Sequence, residues 1–225
     1  MLDQLDKYLE NRGCKFIRYA DDFSIYTRSK SEAKSIGNEI YIFLRDKLEL
    51  QINREKSGIR RPSNFTVLGH SFTSVYKKGS KGQYQLIVSK GSWAKLKRKL
   101  KEVTKKTLGY SFSDRLRKLK LIYQGWINNY RLANIYTKLK KVDERLRNRL
   151  RYCIWHDWKK PERKRKNLIR LGVKKGTAYA WSRTRMGGWA VAQSPILGTT
   201  IKVSLLKRKG YFSMIDYYSK VKISI

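Results

Sequence analysis

Cysteine is almost absent from this chain of 225 residues, in which Cys14 and Cys153 are the only two. Two cysteines are too few for a disulfide scaffold or a cysteine-based zinc site, and they favour a reducing, cytoplasmic compartment. Long apolar runs are missing as well. No stretch approaches the roughly 18 apolar residues that a membrane-spanning helix needs, and the N-terminus is polar and acidic, unlike a signal peptide. We therefore expect no membrane partner.

Acidic residues are scarce. The chain has 53 Lys and Arg against 17 Asp and Glu, which gives a formal net charge of +36. The imbalance lies almost wholly behind residue 60, because residues 1–60 carry 12 basic and 10 acidic residues whereas residues 61–225 carry 41 and 7. A polycation of this kind predicts a polyanionic partner. We expect a nearly neutral front that performs chemistry and a back that binds nucleic acid.

Hydrophobic periodicity predicts five elements near the N-terminus. Leucines at helical spacing, followed by a glycine, predict a helix over residues 2–12. Aromatic and β-branched runs at residues 14–19 and 23–26 predict two short strands. A serine and a glutamate three residues apart form a capping-box pattern and predict a helix over residues 29–47. The alternating residues 48–52 predict a further strand.

A pair of adjacent aspartates, Asp21-Asp22, separates the first two predicted strands and would form the turn of a hairpin. Tight hairpin turns favour Asn-Gly or Asp-Gly, because their central residues need positive φ, and this pair has no glycine. Two carboxylates at one strand tip also repel each other unless a cation lies between them. The pair therefore predicts a divalent metal site, for which Mg²⁺ (or Mn²⁺) suits the oxygen ligands. The alternative is an ordinary solvated turn.

Further along, residues 65–72 and 84–88 are rich in strand-forming residues and flank residues 79–82, whose two glycines predict a turn. We therefore expect a second hairpin there. His70 lies within it, and we interpret this lone histidine as structural.

Three consecutive amphipathic helices are predicted next, over residues 93–103, 113–130 and 139–153, with Ser113 as the N-cap of the second. Their short links suggest a helical bundle. Their polar faces are dense in Lys and Arg and contain few acids. Solvated faces normally mix both signs, so phosphate contact is the better interpretation of these faces.

A distinctly basic stretch follows. Residues 159–175 hold nine Lys or Arg and one acidic residue, and Pro161 suits the start of a helix. Beyond it, aromatic residues alternate with basic ones, which suits RNA or single-stranded DNA because bases stack on rings while phosphates pair with Arg. The alternative is a small core with a cationic surface. No Cys or His follows His156, so this region offers no Cys or His ligands for a metal.

Two motifs connect these patterns to a known family. Tyr19-Ala20-Asp21-Asp22 resembles the Tyr-X-Asp-Asp box of reverse transcriptases, and the string over residues 5–23 resembles the branch encoded by group II introns. Residues 123–130, Tyr-Gln-Gly-Trp-Ile-Asn-Asn-Tyr, resemble the signature of the maturase-specific domain of the same proteins. The resemblance implies an α+β fold in three parts. They are a partial polymerase palm of antiparallel sheet and helices over residues 1–88, a helical thumb or maturase-specific domain over 89–160, and a basic nucleic-acid-binding region over 161–225.

The resemblance also implies roles for individual residues. Asp21 and Asp22 would be the catalytic metal ligands, and Tyr19 and Ala20 would contact the incoming nucleotide. Lys56 would stabilise or protonate the leaving pyrophosphate, the alternative being a solvated turn lysine.

Further candidates lie in the basic part of the chain. Leu68 and Gly69 would form the primer grip, although an ordinary hairpin with a bulge at Gly69 explains the same residues. The selected RNA-binding candidates are Arg115, Lys118, Asn128, Asn129, Arg131, Lys138, Lys141, Arg145, Arg149, Arg163, Lys164, Arg165 and Lys166.

The implied function is RNA-templated DNA synthesis by two-metal catalysis, combined with binding of intron RNA that assists splicing. The expected partners are group II intron RNA, an RNA template, a DNA primer and deoxynucleoside triphosphates. The fingers and a palm strand with a further catalytic aspartate would lie before Met1, so we expect a C-terminal part that is inactive alone. The missing N-terminal half and a second copy of the chain are candidate partners. The alternative function is an RNA-binding maturase fragment without catalysis.

Overall fold

The computed structural model describes residues 2–75 and 83–223. The chain divides into two compact units, Met1–Arg61 and Pro62–Ile225, which we call unit 1 and unit 2 and describe separately. Both contain helices and a small antiparallel sheet, so the predicted α+β class is confirmed. The strands of residues 66–88 lie in unit 2, while the three-part functional division implied by the resemblance remains a prediction.

Unit 1 consists of two helices and a hairpin. The elements are α1 (Leu2–Asn11), β1 (Lys15–Tyr19), β2 (Asp22–Tyr26) and α2 (Lys30–Lys47), in the predicted order. The apolar stripes of the two helices meet in one core, because burying them is the main gain available to amphipathic segments. The buried members of this core are Leu5, Leu9, Ile40, Leu44 and Leu48, and the hairpin adds Phe16, Phe23 and Ile25.

The start of α2 carries the predicted capping box. Ser29 is the N-cap, and its side chain accepts a hydrogen bond from Glu32 N at 3.1 Å. The Glu32 carboxylate in turn accepts one from Arg28 N at 2.8 Å. These bonds satisfy amides that the beginning of a helix leaves free. They fix the point at which the chain leaves the hairpin and enters α2.

The strand predicted over residues 48–52 is wrong. Leu50 N donates to Leu44 O at 2.9 Å, which folds the segment back onto the end of α2. Glu49 has a φ of 54°, a left-handed conformation that a strand does not contain. Leu50 and Ile52 pack against the core of unit 1 instead. The alternation therefore marks an irregular segment that covers a core.

The sheet of unit 2 has three antiparallel strands, β3 (Thr66–Val67), β4 (His70–Ser74) and β5 (Tyr84–Val88), in that order. The predicted pairing of the second hairpin is confirmed for β4 and β5, where His70 lies opposite Val88. The turn predicted at residues 79–82 lies outside the described residues.

Nine helices follow the sheet in the described part of unit 2. They are α3 (Lys90–Val103), α4 (Phe112–Tyr130), α5 (Tyr136–Asp157), α6 (Pro161–Arg170), α7 (Lys175–Ser182), α8 (Gly188–Gln193), α9 (Pro195–Thr200), α10 (Val203–Arg208) and α11 (Met214–Ile223). The three predicted amphipathic helices are α3 to α5, and they share one core with the later helices. Within the described ranges, no helix combines the length and apolar character that crossing a membrane requires.

The N-terminus of α4 differs from the prediction by two residues. Ser111, not Ser113, is the N-cap, because Ser111 Oγ accepts a hydrogen bond from Asp114 N at 3.1 Å. Both serines are suitable N-cap residues by type. The residue used is Ser111, which lies three positions before Asp114. The predicted start of α6 at Pro161 is confirmed.

A buried carboxylate joins the C-terminal segment to the helices of unit 2. Asp143 of α5 is 1% exposed. It accepts hydrogen bonds from Tyr211 Oη at 2.5 Å, Ser213 Oγ at 3.1 Å and Met214 N at 2.9 Å, and it pairs with Arg147 on its own helix. Burial beside this carboxylate raises the pKa of Tyr211, so its phenol remains a donor. We call these five residues the Asp143 cluster.

Candidate functional site

The Tyr-Ala-Asp-Asp motif forms the tip of the hairpin in unit 1. β1 and β2 pair in a register that places Tyr19 opposite Asp22. The two-residue turn is therefore Ala20-Asp21, and the prediction of an Asp21-Asp22 turn is corrected by one residue. Ala20 has a φ of 52°, so an alanine takes the left-handed turn position that glycine usually fills.

The side chains of the motif are open to solvent. Asp21 and Asp22 are both exposed, and Tyr19 is 64% exposed. Tyr19 and Asp22 share the outer face of the hairpin with Ile17, because alternate residues of a strand point to opposite faces. This face carries Tyr19, one of the two residues predicted to contact a nucleotide, and the other, Ala20, lies in the turn. The opposite face packs on the core of unit 1.

Arg18 holds the inner side of the hairpin tip. Its Nε donates to Asp6 Oδ1 of α1 at 2.7 Å, a second nitrogen contacts the other Asp6 oxygen, and Nη1 donates to Ala20 O at 3.1 Å. The hydrogen bond from Arg18 lowers the pKa of Asp6. The pKa of Arg18 is raised, first by this hydrogen bond and less strongly by other nearby acids, among them Asp21. One cation therefore ties α1 to the turn and interacts electrostatically with the first motif aspartate.

Sequence reasoning missed this role of Arg18, although a signal existed. Arg18 occupies an inward position of β1, where the alternation that places Phe16 on the core predicts an apolar residue. A charge at such a position needs a partner, and Asp6 on the preceding helix supplies it.

The side chains at the hairpin tip provide the type of ligand atom that a hard cation binds. Asp21 and Asp22 offer carboxylate oxygens, which Mg²⁺ prefers. In the part of the chain that the structure describes, neither carboxylate accepts a hydrogen bond or pairs with a basic side chain at contact distance. No group of three His, Cys, Asp or Glu side chains that could hold a metal occurs among residues 2–75 and 83–223. The hairpin thus offers two carboxylate ligands.

Lys56 lies in an exposed turn behind α2. Asn53 forms this turn by accepting hydrogen bonds on its side chain from Glu55 N at 3.1 Å and Lys56 N at 3.2 Å. Lys56 O accepts a further one from Arg60 Nη2 at 3.3 Å. The backbone of Lys56 is therefore fixed while its side chain is exposed, and its role towards pyrophosphate stays a prediction.

Leu68 and Gly69, the predicted primer grip, form a tight turn in unit 2. β3 and β4 pair with Val67 opposite His70, which leaves Leu68 and Gly69 as a two-residue loop and not a bulge. Their φ values of 48° and 79° are both positive, as a type I′ turn requires. Leu68 is a large apolar residue in a left-handed conformation, yet it is 52% exposed. Strain of this kind clusters at ligand-contacting loops.

Gly69 lies against α4. A Cβ at this position would lie 2.3 Å from Tyr130 Oη and 2.6 Å from Ser92 Oγ. Tyr130 Oη donates to Ser92 Oγ at 3.0 Å, and Ser92 Oγ donates to Gly69 O at 3.3 Å. The Tyr130 ring contacts His70 and Trp126, with centroid distances of 4.9 and 4.7 Å. Ser92 and Tyr130 therefore hold the Leu68-Gly69 turn against α3 and α4.

Most predicted RNA-binding residues lie on exposed faces of unit 2. Lys138, Lys141 and Arg145 are exposed and follow one another at spacings of three and four on α5, so they share one face. Of the other candidates, Lys118, Asn128, Asn129, Arg131, Arg163 and Lys166 are exposed, whereas Lys164 and Arg165 are half-buried. Few carboxylates are available to neutralise this surface, which favours phosphate contact.

Two exposed candidates also make contacts within unit 2. Lys118 Nζ lies 3.7 Å from the ring centroid of Tyr110. Asn128 Oδ1 accepts a hydrogen bond from Tyr217 Oη at 2.9 Å. The lysine keeps its charge in this arrangement, but the amide oxygen of Asn128 is already used.

Arg115 is a structural residue, and its prediction as an RNA contact is corrected. It is 2% exposed, and its guanidinium donates to the carbonyl oxygens of Val103 at 2.7 Å and Lys105 at 3.0 Å. Arg149 is half-buried and donates to Thr104 O at 3.1 Å, and burial lowers its pKa. Both arginines close the C-terminal end of α3, where helix carbonyls lack partners.

Two family models match the chain in succession. Residues 1–72 match the model described as reverse transcriptase (RNA-dependent DNA polymerase). Residues 93–172 match the model described as group II intron, maturase-specific domain. The first match contains the Tyr-Ala-Asp-Asp hairpin and the Leu68-Gly69 turn, and the second contains most of α3 and all of α4 to α6. No curated protein matches the chain.

Proposed function

Because the chain belongs to the group II intron reverse transcriptases and maturases and corresponds to their C-terminal region, we propose that it carries two linked functions. The first is part of the catalytic site of an RNA-directed DNA polymerase. The second is a surface that binds intron RNA and assists its splicing. The proposed substrates are an RNA template, a DNA primer and deoxynucleoside triphosphates.

The observation that carries the polymerase proposal is the hairpin tip. Asp21 and Asp22 present two exposed carboxylates on adjacent residues, in a turn that Arg18 holds to α1. Tyr19 lies exposed on the strand opposite Asp22, where it would support the incoming nucleotide. In this proposal Ala20 keeps the turn tight, and Lys56 and the Leu68-Gly69 turn act on pyrophosphate and primer.

Asp21 and Asp22 would hold Mg²⁺. When bound, the metal would polarise the nucleotide phosphates and favour ionisation of the primer 3′-hydroxyl. The positive charge of Arg18 lies on the inner side of the same turn, where Nη1 donates to Ala20 O.

Binding of Mn²⁺, measured by electron paramagnetic resonance, tests the metal role independently of activity. The double substitution Asp21→Asn, Asp22→Asn removes both charges with little change in shape. Asp46→Asn is the matched control, since Asp46 is an exposed carboxylate elsewhere in unit 1. We expect the double variant to lose the tightest Mn²⁺ site and the control to keep it. Equal binding in all three proteins would contradict the metal role.

Primer extension on an RNA template tests catalysis. Two-metal catalysis clamps two ions, and the described residues contain no group of three metal-ligating side chains, so we expect no extension by this chain alone. Extension should appear when a second polypeptide supplies further metal-ligating carboxylates, and Asp21→Asn should abolish it. Extension by the chain alone that disappears in Asp21→Asn would support the polymerase role but overturn the need for a further carboxylate.

A second candidate function is RNA binding without catalysis. Its supporting observation is the charge distribution, with 41 basic and 7 acidic residues over positions 61–225. Here Asp21→Asn, Asp22→Asn would change neither RNA binding nor splicing, and the chain would have no specific Mn²⁺ site. A salt titration tests RNA binding in both cases. For single strands, the logarithm of the binding constant falls by about 0.7 for each tenfold rise in salt concentration and each phosphate that the protein neutralises.

Lys138, Lys141 and Arg145 are the residues to replace in that titration. Changing all three to Gln should flatten the salt dependence by about 2 units of slope, since each exposed cation contributes one phosphate contact. Lys34→Gln on α2 is the control in unit 1, where the charges nearly balance. RNA affinity that is insensitive to salt in the unmodified chain would exclude both candidate functions.

A further inference from the structure

A cavity of about 440 Å³ lies in unit 2, between the α3–α4 connection, the end of α5, the start of α6 and the segment before α8. Four lysines line it, together with the rings of two aromatic residues: Lys106, Lys159, Lys160, Lys164, Tyr152 and Trp155. Its volume lies within the range of about 300–1,000 Å³ that is typical of small-molecule sites. None of the candidate catalytic residues belongs to it.

The positive charge of the cavity is not compensated by the residues that line it. No acidic residue lines it, and none of its four lysines forms an ion pair with a residue that the structure describes. Like charges around one concave surface repel each other, and a concave surface focuses their field. Burial also lowers the pKa of Lys164, because a half-buried ammonium is less well hydrated. An anion in the cavity would relieve both costs.

The connection between α5 and α6 forms one side of the cavity. α5 ends at Asp157 and α6 begins at Pro161, so the chain changes direction over a few residues. Lys159 has a φ of 50°, a strained conformation for a lysine, at the bend between α5 and α6. The bend brings three lysines of this connection to one cavity.

The remaining wall combines aromatic and apolar residues with the polar side chains of His156 and Thr184. Lys164 Nζ lies 4.5 Å from the Trp155 ring centroid, and Lys106 Nζ lies 5.9 Å from that of Tyr152. Met186 also lines the cavity and is 47% exposed. A Cβ at Gly188 would lie 3.0 Å from Tyr152 Cε2, so the glycine keeps the chain close to this ring. Rings beside ammonium groups suit a ligand that has both a base and a phosphate.

We propose that this cavity binds one nucleotide of a single-stranded nucleic acid, with its phosphate on Lys159, Lys160 and Lys164 and its base against Tyr152 and Met186. The inference rests on the proposed RNA-binding function and specifies one subsite of it. A duplex keeps its bases stacked and offers only phosphates to the outside, whereas a single strand can place a base in a cavity. The cavity therefore distinguishes single-stranded from double-stranded segments.

The test compares two double variants of the full chain with equal loss of charge. Lys160→Gln, Lys164→Gln empties the cavity of two cations, whereas Lys138→Gln, Lys141→Gln removes two from the exposed face of α5. Affinity is measured by fluorescence anisotropy for a short single-stranded RNA and for a duplex of the same length. Tryptophan fluorescence during thermal unfolding checks that each variant is folded.

We expect the cavity variant to lower single-strand affinity about tenfold and duplex affinity less than about threefold, because only a single strand places a phosphate in the cavity and so loses two lysine contacts there. The α5 variant should lower both affinities alike. A cavity variant that affects neither RNA, or both equally, overturns the nucleotide subsite. If the unmodified chain binds neither RNA, the RNA-binding function itself fails, which is a distinct result.

A second measurement separates a nucleotide from a simple anion. Adenosine monophosphate should quench tryptophan fluorescence in the unmodified chain, because Trp155 lines the cavity, and the quenching should be lost in the cavity variant. Inorganic phosphate and polyglutamate should compete only weakly. The competitors are compared with adenosine monophosphate at concentrations that supply the same amount of negative charge. If either of them displaces it, the cavity recognises negative charge alone, and the proposal that it binds a nucleotide is wrong.

Discussion

Replacing Gly69 by alanine should destabilise unit 2, for two reasons that add. The first is the backbone, since the φ of 79° at this position would cost alanine about 1–2 kcal/mol. The second is space. The new Cβ would lie 2.3 Å from Tyr130 Oη and 2.6 Å from Ser92 Oγ, so it would separate two hydroxyls that are now hydrogen-bonded.

Tyr130 has little freedom to move away. It is 8% exposed, and its ring lies against His70 and Trp126. Losing the Tyr130–Ser92 hydrogen bond and leaving a buried hydroxyl unsatisfied costs about 1–3 kcal/mol. Together with the backbone cost, we expect Gly69→Ala to lower the free energy of unfolding by about 2–5 kcal/mol.

Urea unfolding followed by tryptophan fluorescence measures this loss in unit 2 alone, because all six tryptophans lie between residues 93 and 189. Gly125→Ala is the matched control. Gly125 is exposed in the middle of α4, and a Cβ there meets no atom within 4 Å. The control should raise the free energy of unfolding by about 0.5–1 kcal/mol, because alanine is the better helix former.

A third variant isolates the close approach. Tyr130→Phe removes the oxygen nearest to the new Cβ, so the double variant Gly69→Ala, Tyr130→Phe should lose less stability than the two single losses added together. Strict additivity, or a Gly69→Ala protein as stable as Gly125→Ala, would refute the packing argument.

Three further predictions concern unit 2. Arg115→Gln should lower the free energy of unfolding by about 3 kcal/mol without changing the salt slope of RNA binding. Exposed Arg145→Gln should flatten the salt slope without changing the free energy of unfolding. Urea unfolding and salt titration measure the two effects. Asp143→Ala should cost about 3–5 kcal/mol in urea unfolding, and Tyr211→Phe only about 1–2 kcal/mol, because the other donors to the carboxylate remain. Burial lowers the pKa of His70, so acid favours the unfolded state. Stability should be full above the ordinary histidine pKa of about 6.5 and fall as pH drops below it, and His70→Gln should flatten this dependence.

The sequence was sufficient for the elements of unit 1 that local chemistry determines. The capping box at Ser29 and the apolar spacing of α1 and α2 each specify structure through residues three or four positions apart. The hairpin was predicted, but its turn lies one residue earlier than predicted. The reason is that Ala20, and not an aspartate, adopts the left-handed turn conformation. Propensity alone disfavours alanine there. The contact from Arg18 to Ala20 O, which supports this turn, depends on the fold.

Features that depend on distant partners could not be predicted. Arg115 has the spacing of a surface cation on α4, yet the carbonyls that bury it belong to the end of α3. The role of Asp143 depends on Tyr211, and that pairing has no local signature. Three lysines of the cavity are close together in the sequence, but Lys106 and Tyr152 belong to distant segments and meet them only in the fold. The Tyr-Ala-Asp-Asp motif, in contrast, is contiguous, so its position at a strand tip could be predicted from the sequence.

The Asp143 cluster links the maturation of unit 2 to the synthesis of the segment that begins at Tyr211. The donors to Asp143 lie 68 to 71 residues later in the chain. At about 5–20 residues per second, a ribosome needs roughly 3–14 s to make them, and during that time Arg147 is the only partner from the cluster that the nascent chain holds. The helices therefore acquire their final core only when α11 has been synthesised. A nascent chain that stalls before Tyr211 would keep an incompletely paired charge on α5 and expose the surface that α11 covers.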